Sequence, residues 1–338
     1  MDTRCVPANE ENIRRAAELL RAGQVVAFPT ETVYGLGADG LNDGAVRAIF
    51  AAKERPADNP LIVHVWRREQ LAGLCRVTET AEKLMDAYWP GPLTMLLMKT
   101  ERVPDVTTAG LPSVAVRCPD HPVAQALLRA CDLPIAAPSA NRSGRPSPTA
   151  AAHVLEDMQG RIPMILDGGE CRVGVESTVV DLTGDIPCVL RPGAVTPRMI
   201  AQVTGQCAVA PSVMRPLLEG ETAPSPGMRH RHYAPKAKMT VYIGDDNRVA
   251  RMLCRQYDES ENAAILARDG VLPLLGDRRC FSLGDTPAEG ARLLFQRLRE
   301  MDELGVSRIF AQGWEPEGDA LAVMNRMARA AAFDLVHV

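Results

Sequence analysis

Short apolar, β-forming runs alternate with amphipathic segments along almost the whole chain, and glycine, proline or hydroxyl residues stop nearly every run. Ile13, Ala16, Ala17 and Leu20 recur at helical spacing across 10–22, with Gly23 placed to end the helix. A strand at 24–28 follows and is stopped by Pro29. The spacing then predicts a helix over 43–53 with Asp43 as its N-cap, a strand at 61–65, a helix over 78–88 capped by Thr78, and strands at 93–98 and 114–117. A helix over 121–131 carries Pro122 at its first position, 135–137 is strand-like, Thr149 caps a helix through Met158, and strands follow at 163–166 and 178–182. Such alternation specifies an α/β sheet, and the loops that follow its strands are expected to gather at one rim.

Around residue 205 the pattern changes. Residues 206–236 carry Pro211, Pro216, Pro224, Pro226 and Pro235 and read as a linker. No acid occurs between Thr222 and Gly244, yet Arg229, His230, Arg231, His232, Lys236 and Lys238 do. That cluster, with Tyr233 inside it, suits a segment folding over an anion as well as it suits a solvated basic tether. Beyond it the β-α-β order resumes, with a helix over 287–304 marked by Thr286, Pro287 and Glu289 as a capping box. This gives three parts: a first domain at 1–205, a linker or lid at 206–237, and a smaller parallel, Rossmann-like domain at 238–338. The loop after the last domain's first strand is Gly244-Asp245-Asp246, whose acids would repel a phosphate, so a dinucleotide site is not expected there.

At 338 residues, 46% hydrophobic and 24% charged, the chain can bury two cores. A net charge of −4 and only 4% aromatic residues argue against a broadly basic nucleic-acid binder and leave a local basic patch open. The nine cysteines are dispersed and form no C-x-x-C pair, which fits reduced thiols and a cytoplasmic setting rather than a zinc cluster. No signal peptide or membrane-length apolar run is present in the sequence.

The chemistry concentrates in loops. After the first strand come Thr30-Glu31-Thr32 and the glycines 35, 37 and 40, a layout in which backbone can approach a ligand closely. Lys53 and Arg55 sit two apart before Pro56, on a loop stiff enough to hold phosphates at little ordering cost, although a bare K-x-R is more often a solvated surface pair. The strand-end loops 138–148 and 174–178 and the Arg191-Pro192-Gly193 turn repeat the pattern of hydroxyls, an Asn and an Arg.

The segments FPTETVYGLG, KERPADNPLIVH, WPGPLT, VAVRCP, PSANRSGRPSPT, DGG, GVESTVVDL, LRPGA and SPGMRHRHYAP stand in this order. Together they resemble the threonylcarbamoyl-AMP synthase family in its long form, over nearly the whole chain. The resemblance implies a YrdC-like twisted mixed sheet with flanking helices and a ligand groove, followed by the small Rossmann-like domain. It implies a nucleotidyltransferase that joins L-threonine, bicarbonate and ATP into threonylcarbamoyl-AMP and pyrophosphate, for modification of tRNA beside the anticodon.

Carried onto this sequence, the resemblance implies that Lys53, Arg55 and Arg191 face the triphosphate and that Arg117 pairs with the amino-acid carboxylate. Thr32, His64, Ser139 and Ser177 would hydrogen-bond threonine. Asn59, Asn141, Ser147, the backbone at Ala115 and Tyr233 would hold the nucleotide. Magnesium would enter with ATP, with no protein metal cage. Downstream tRNA-modification proteins are the expected partners, with weak RNA binding open and no membrane. Two other classes share these motifs: a double-stranded-RNA-binding module, and a carbamoyltransferase-like domain using carbamoyl phosphate.

Overall fold

The computed structural model describes residues 2–215 and 233–338. The strands of the first part are β1 (Arg4–Pro7), β2 (Val26–Phe28), β3 (Gly35–Asp39), β4 (Ile62–His64), β5 (Leu93–Met98), β6 (Ser113–Arg117), β7 (Ile135–Ala136), β8 (Met164–Asp167), β9 (Thr178–Asp181), β10 (Cys188–Arg191) and β11 (Ala208–Val209). They form one mixed sheet in the order β1-β8-β2-β3-β7-β4-β6-β5-β9-β10-β11. Around it lie helices α1 (Glu10–Arg21), α2 (Asp43–Lys53), α3 (Glu79–Tyr88), α4 (Asp105–Thr108), α5 (Pro122–Cys131), α6 (Ala151–Met158) and α7 (Pro197–Thr204).

The second part holds β12 (Lys238–Ile243), α8 (Asp246–Asp258), β13 (Ala263–Ala267), β14 (Cys280–Ser282), α9 (Pro287–Glu303), β15 (Arg308–Gln312), α10 (Leu321–Ala330) and β16 (Leu335–His337). Its sheet is parallel throughout, in the order β14-β13-β15-β12-β16. The parallel expectation is met, but β15 lies between β12 and β13, which is not the 3-2-1-4-5 order of a doubly wound dinucleotide fold.

Local chemistry explains most boundaries. The capping box before α9 is present, and Leu294, Leu298 and Met301 are buried on its inner face. Two expected caps move by one residue. Asn42, not Asp43, caps α2, accepting from Ala45 N, because its shorter reach to the third amide satisfies a free donor while Asp43 sits favourably in the first turn. Ala150, not Thr149, precedes α6, and the Thr149 amide instead donates to His153 Nδ1 at 3.3 Å.

One of the glycines after β2 also differs from expectation. Gly35 and Gly37 belong to β3, and a Cβ on Gly37 would stand 2.7 Å from the Phe28 ring and 2.8 Å from Ile135. Gly37 is there so that the strand can pack on Phe28, not so that backbone can meet a ligand. The linker assignment is also shortened at its start, since β11 adds to the large sheet beside β10. No helix among the described residues is long and apolar enough to cross a membrane.

Candidate active site

Pro29 ends β2, and the Thr30 hydroxyl then closes a tight turn, accepting from the amides of Thr32 and Val33 and donating to Val33 O at 2.6 Å. This points Thr32 into a cleft of about 640 Å³, counting its open mouth. Arg55 enters from the loop after α2, His64 from the end of β4, Arg117 from the end of β6 and Arg191 from the end of β10. Ser139, Asn141 and Ser147 come from the loop after β7, and Glu176 and Ser177 from the turn before β9.

These strand ends do not share a rim. β2 and β7 run one way, whereas β4, β6 and β10 run the other, as the antiparallel pairings require. The expectation of a single rim holds for parallel sheets; in this mixed sheet the cleft takes side chains from strands of both directions.

Each group is braced. The Ser139 hydroxyl donates to Asn141 Oδ1 at 2.5 Å, and Asn141 Nδ2 donates to the carbonyls of Arg142 and Arg145. Ser177 Oγ meets Thr94 Oγ1 at 2.7 Å and accepts from Arg191 Nη2 at 3.2 Å. Loop 192–194 presses so closely on Ser177-Thr178 that a Cβ on Gly193 would be 2.4 Å from Thr178 N. Only glycine fits there.

Of the residues expected at the site, Thr32, Arg55, His64, Arg117, Ser139, Asn141, Ser147, Ser177, Arg191 and Tyr233 line this one cleft. Three lie outside its lining. Lys53 is buried behind the Ser139–Asn141 turn, where its ammonium donates to Ser139 O and, at 2.5 Å, to Asn141 O. It holds the turn rather than facing the open space. Asn59 is wholly buried; its carbonyl accepts from Arg55 Nη2, while neither atom of its amide has a partner. Ala115 is in the middle of β6, its backbone committed to β4 on one side and β5 on the other. Arg117 also differs from a free carboxylate fork. Its Nη2 is 2.6 Å from the buried Glu31 Oε1, Nη1 donates to Thr32 Oγ1 at 2.9 Å and Nε to Gly91 O at 3.3 Å. The Glu31 contact is a close ion pair that lacks hydrogen-bond alignment. Glu31 and Glu176 were both passed over in the sequence, where each is one acid within a run of hydroxyl residues.

Burial sets the charges. It lowers the Arg55 and Arg191 guanidinium groups to about 10, so both remain cations at neutral pH. It holds Lys53 well below its ordinary range, aided by the neighbouring Arg55 charge. His64 is pushed down to about 3, first by burial and then by Arg117, so its ring is neutral. Among the described residues, His64 Nδ1 and Arg55 Nε are buried without an aligned hydrogen-bond partner. Each such orphan costs about 1–3 kcal/mol, which a bound ligand can recover. Glu176 is held below the usual carboxylate range: burial opposes this, and the Arg326 and Arg191 cations outweigh it.

Tyr233 closes one side. Its backbone adopts φ 64°, its ring stacks on Phe295 with centroids 5.1 Å apart, and Arg326 lies 5.6 Å from the ring centre. Ala234 N donates to Gly144 O at 3.0 Å. Of the linker or lid expected at 206–237, residues 216–232 lie outside the described residues.

A family model for Sua5, YciO and YrdC domains, described as "Telomere recombination", matches residues 18–193. A second, described as "Threonylcarbamoyl-AMP synthase, C-terminal domain", matches residues 195–332. The chain is 47% identical to the threonylcarbamoyl-AMP synthase of Pyrococcus abyssi, over 97% of this chain and 96% of that protein. This chain belongs to the threonylcarbamoyl-AMP synthase family. A Bacillus subtilis family member is 43% identical over 96% of this chain and 94% of its own length. The crystal structure of P. abyssi Sua5 complexed with L-threonine superposes with a TM-score of 0.92 at 46% identity, covering 100% of this chain and 99% of that one. The two-domain family resemblance read from the motifs is therefore correct, and both family domains are present.

Proposed function

We propose that this chain is an L-threonylcarbamoyladenylate synthase that consumes L-threonine, bicarbonate and ATP. Threonine and bicarbonate first lose water to give the N-carboxylate. Its oxygen then attacks the α-phosphorus of ATP, a P–O bond forms, and pyrophosphate leaves. Both reactants are anions, so the step needs fixed positive charge and exclusion of water. The observation that carries this reading is the cleft itself: Arg55, Arg117 and Arg191 converge there with a neutral His64, in a chain of net charge −4.

Arg55 and Arg191 suit the triphosphate. Thr32, Ser139, Ser177 and the free Nδ1 of His64 suit threonine, and the N–H groups of Arg117 not used by Glu31, Thr32 and Gly91 suit its carboxylate. Lys53 acts through the Ser139–Asn141 turn. Asn141, Ser147 and Tyr233 suit the nucleotide. Magnesium belongs to the ATP substrate and is held by its phosphates and its own waters. The P. abyssi protein's complex with L-threonine supports threonine as the amino acid. Nine unpaired cysteines suit a reducing compartment, and we assign the reaction to the cytoplasm, feeding tRNA-modification proteins.

The test is product formation. Pyrophosphate and threonylcarbamoyl-AMP, followed by phosphate release and mass spectrometry, should appear only when threonine, bicarbonate and ATP are all supplied. Turnover with carbamoyl phosphate in place of bicarbonate, or ATP cleavage indifferent to threonine, would reject the assignment.

A further inference from the structure

A buried cation of the second domain reaches the wall of the cleft from behind. Arg326 in α10 is wholly buried. Its Nε donates to Glu176 Oε2 at 2.7 Å, Nη2 to Glu176 O at 3.2 Å and Nη1 to Pro192 O at 2.9 Å. Asn325 Oδ1 accepts from Nη1 at 2.7 Å and so aims the fork. A single guanidinium thus grips both the turn that carries Ser177 and the turn that follows Arg191. The other Glu176 oxygen, Oε1, accepts from the hydroxyl of Ser147.

Glu176 is the one carboxylate among the described residues that line the cleft. A bare carboxylate beside a triphosphate site would repel the substrate, and a buried one without a partner is costly. We infer that Arg326 is a positioning residue of the second domain that neutralises Glu176 and, through it, sets Ser147, Ser177 and Arg191 for the nucleotide. This rests on the reading of the cleft as an ATP site. It also gives the second domain a role inside the reaction: the first domain alone lacks the cation that makes its own Glu176 compatible with a polyanion.

The charged and titratable groups facing Glu176 are Arg326 from α10, Arg191 from β10, Lys53 from α2 and Tyr233, with the Ser147 hydroxyl beside them. Arg191 and Lys53 are engaged elsewhere, the first on Ser177 and the second on the carbonyls of Ser139 and Asn141. Removing Arg326 therefore leaves Glu176 without a hydrogen-bonded cation, and burial then favours its protonated form.

Arg326→Met should weaken binding of a non-hydrolysable ATP analogue, measured by calorimetry on the full-length protein, by about tenfold or more at pH 8. The loss should shrink at pH 6, as protonation removes the carboxylate charge. Arg326→Lys keeps the cation and should stay within about threefold of the parent. In the decisive variant, Glu176→Gln combined with Arg326→Met, the repulsive charge is gone, and affinity should recover to within about threefold of the parent. An Arg326 that only staples the domains would give a different pattern: the double variant as weak as Arg326→Met, with the same loss at both pH values. That pattern overturns the inference, as does parental affinity in Arg326→Met. Should Arg326→Met fail to fold, the double variant and Arg326→Lys decide alone: a folded double variant that binds poorly overturns it. A parent protein that binds no ATP analogue would instead count against the proposed function.

Discussion

Arg299 of α9 and Asp157 of α6 form an ion pair of 2.6 Å whose side chains are 1% and 0% exposed, joining the two domains across 142 residues of sequence. The pair sits in a network. Arg299 also donates to Glu156 at 3.0 Å and to Pro146 O at 2.6 Å, and Arg145 reaches Asp157 and Glu156 from the other side. Two cations and two carboxylates therefore compensate one another, with Arg299 and Asp157 sealed from water and Arg145 and Glu156 at the network's edge.

Asp157→Ala should destabilise the protein by about 3 kcal/mol, because it takes from the buried Arg299 guanidinium its one fully buried carboxylate and leaves it the part-exposed Glu156 and the Pro146 carbonyl. Asp86→Ala, which removes the exposed partner of Arg68, should cost no more than about 1 kcal/mol. Urea unfolding midpoints of the two variants test the contrast, and equal midpoints would contradict the burial argument.

Arg55→Ala should lower kcat/KM by about 10²–10³-fold, the usual loss when one preorganised charge is removed from a reacting site. The fold should survive, since the Arg55 side chain is held by loop and helix-end partners, among them the Asn59 carbonyl at 3.3 Å, the Phe50 ring at 5.8 Å and the charge of Asp58, and by no strand of the core sheet among the described residues. Near-parental turnover in a folded variant would remove Arg55 from the site.

Among amino acids, serine should be a poor but measurable substrate. It keeps the hydroxyl that the proposed reading assigns to Thr32, Ser139 and Ser177 and lacks one methyl, worth about 1–3 kcal/mol. Valine should fare worse, because the polar groups facing it would be left without a partner. Amino-acid-dependent pyrophosphate release ranks them, and valine matching serine would defeat a hydroxyl-reading pocket.

Acid should destabilise the protein through its buried histidines. His64 is lowered to about 3, by burial and then by Arg117, and His153 to about 4, by burial and then by Arg299. A histidine with a folded pKa below its unfolded 6.5 is charged only in the unfolded chain between those two values, so stability is full above pH 6.5 and falls as pH drops towards 3. For His64 the loss between pH 6.5 and 5 is on the order of 2 kcal/mol. The unfolding midpoint of His64→Asn should therefore fall less over that interval than the parent's.

Ending the chain at residue 210 should sharply reduce product formation, because it removes both Tyr233 from the cleft lining and Arg326 from Glu176. Tyr233→Ala in the full chain should reduce it less than the truncation does. A truncated domain as active as the full chain would show that neither is needed.

The chain's own order of residues determined more than its outline. Capping signals such as Thr286-Pro287-Glu289 act within one turn, so helix starts were legible, and Pro29 and the strand-forming runs marked most strands of both sheets. The motif loops named ten side chains that converge on one cleft, because loops that carry hydroxyls, Asn and Arg after strands are local features too. Tertiary structure decided the rest. Gly37 reads as a ligand loop until Phe28 is seen packed where its Cβ would be. Lys53 reads as a phosphate cation until the Ser139 and Asn141 carbonyls, 86 and 88 residues away, are seen to take its ammonium. Arg117 reads as an open fork until Glu31 fills part of it, and nothing in the loop 174–178 marks Glu176 until Arg326, 150 residues on, is seen to neutralise it. Propensity, capping and turn chemistry act over a few residues and so are written in the sequence. The charge state and partner of a buried ion depend on what the folded chain brings within about 4 Å of it, and no local pattern records that.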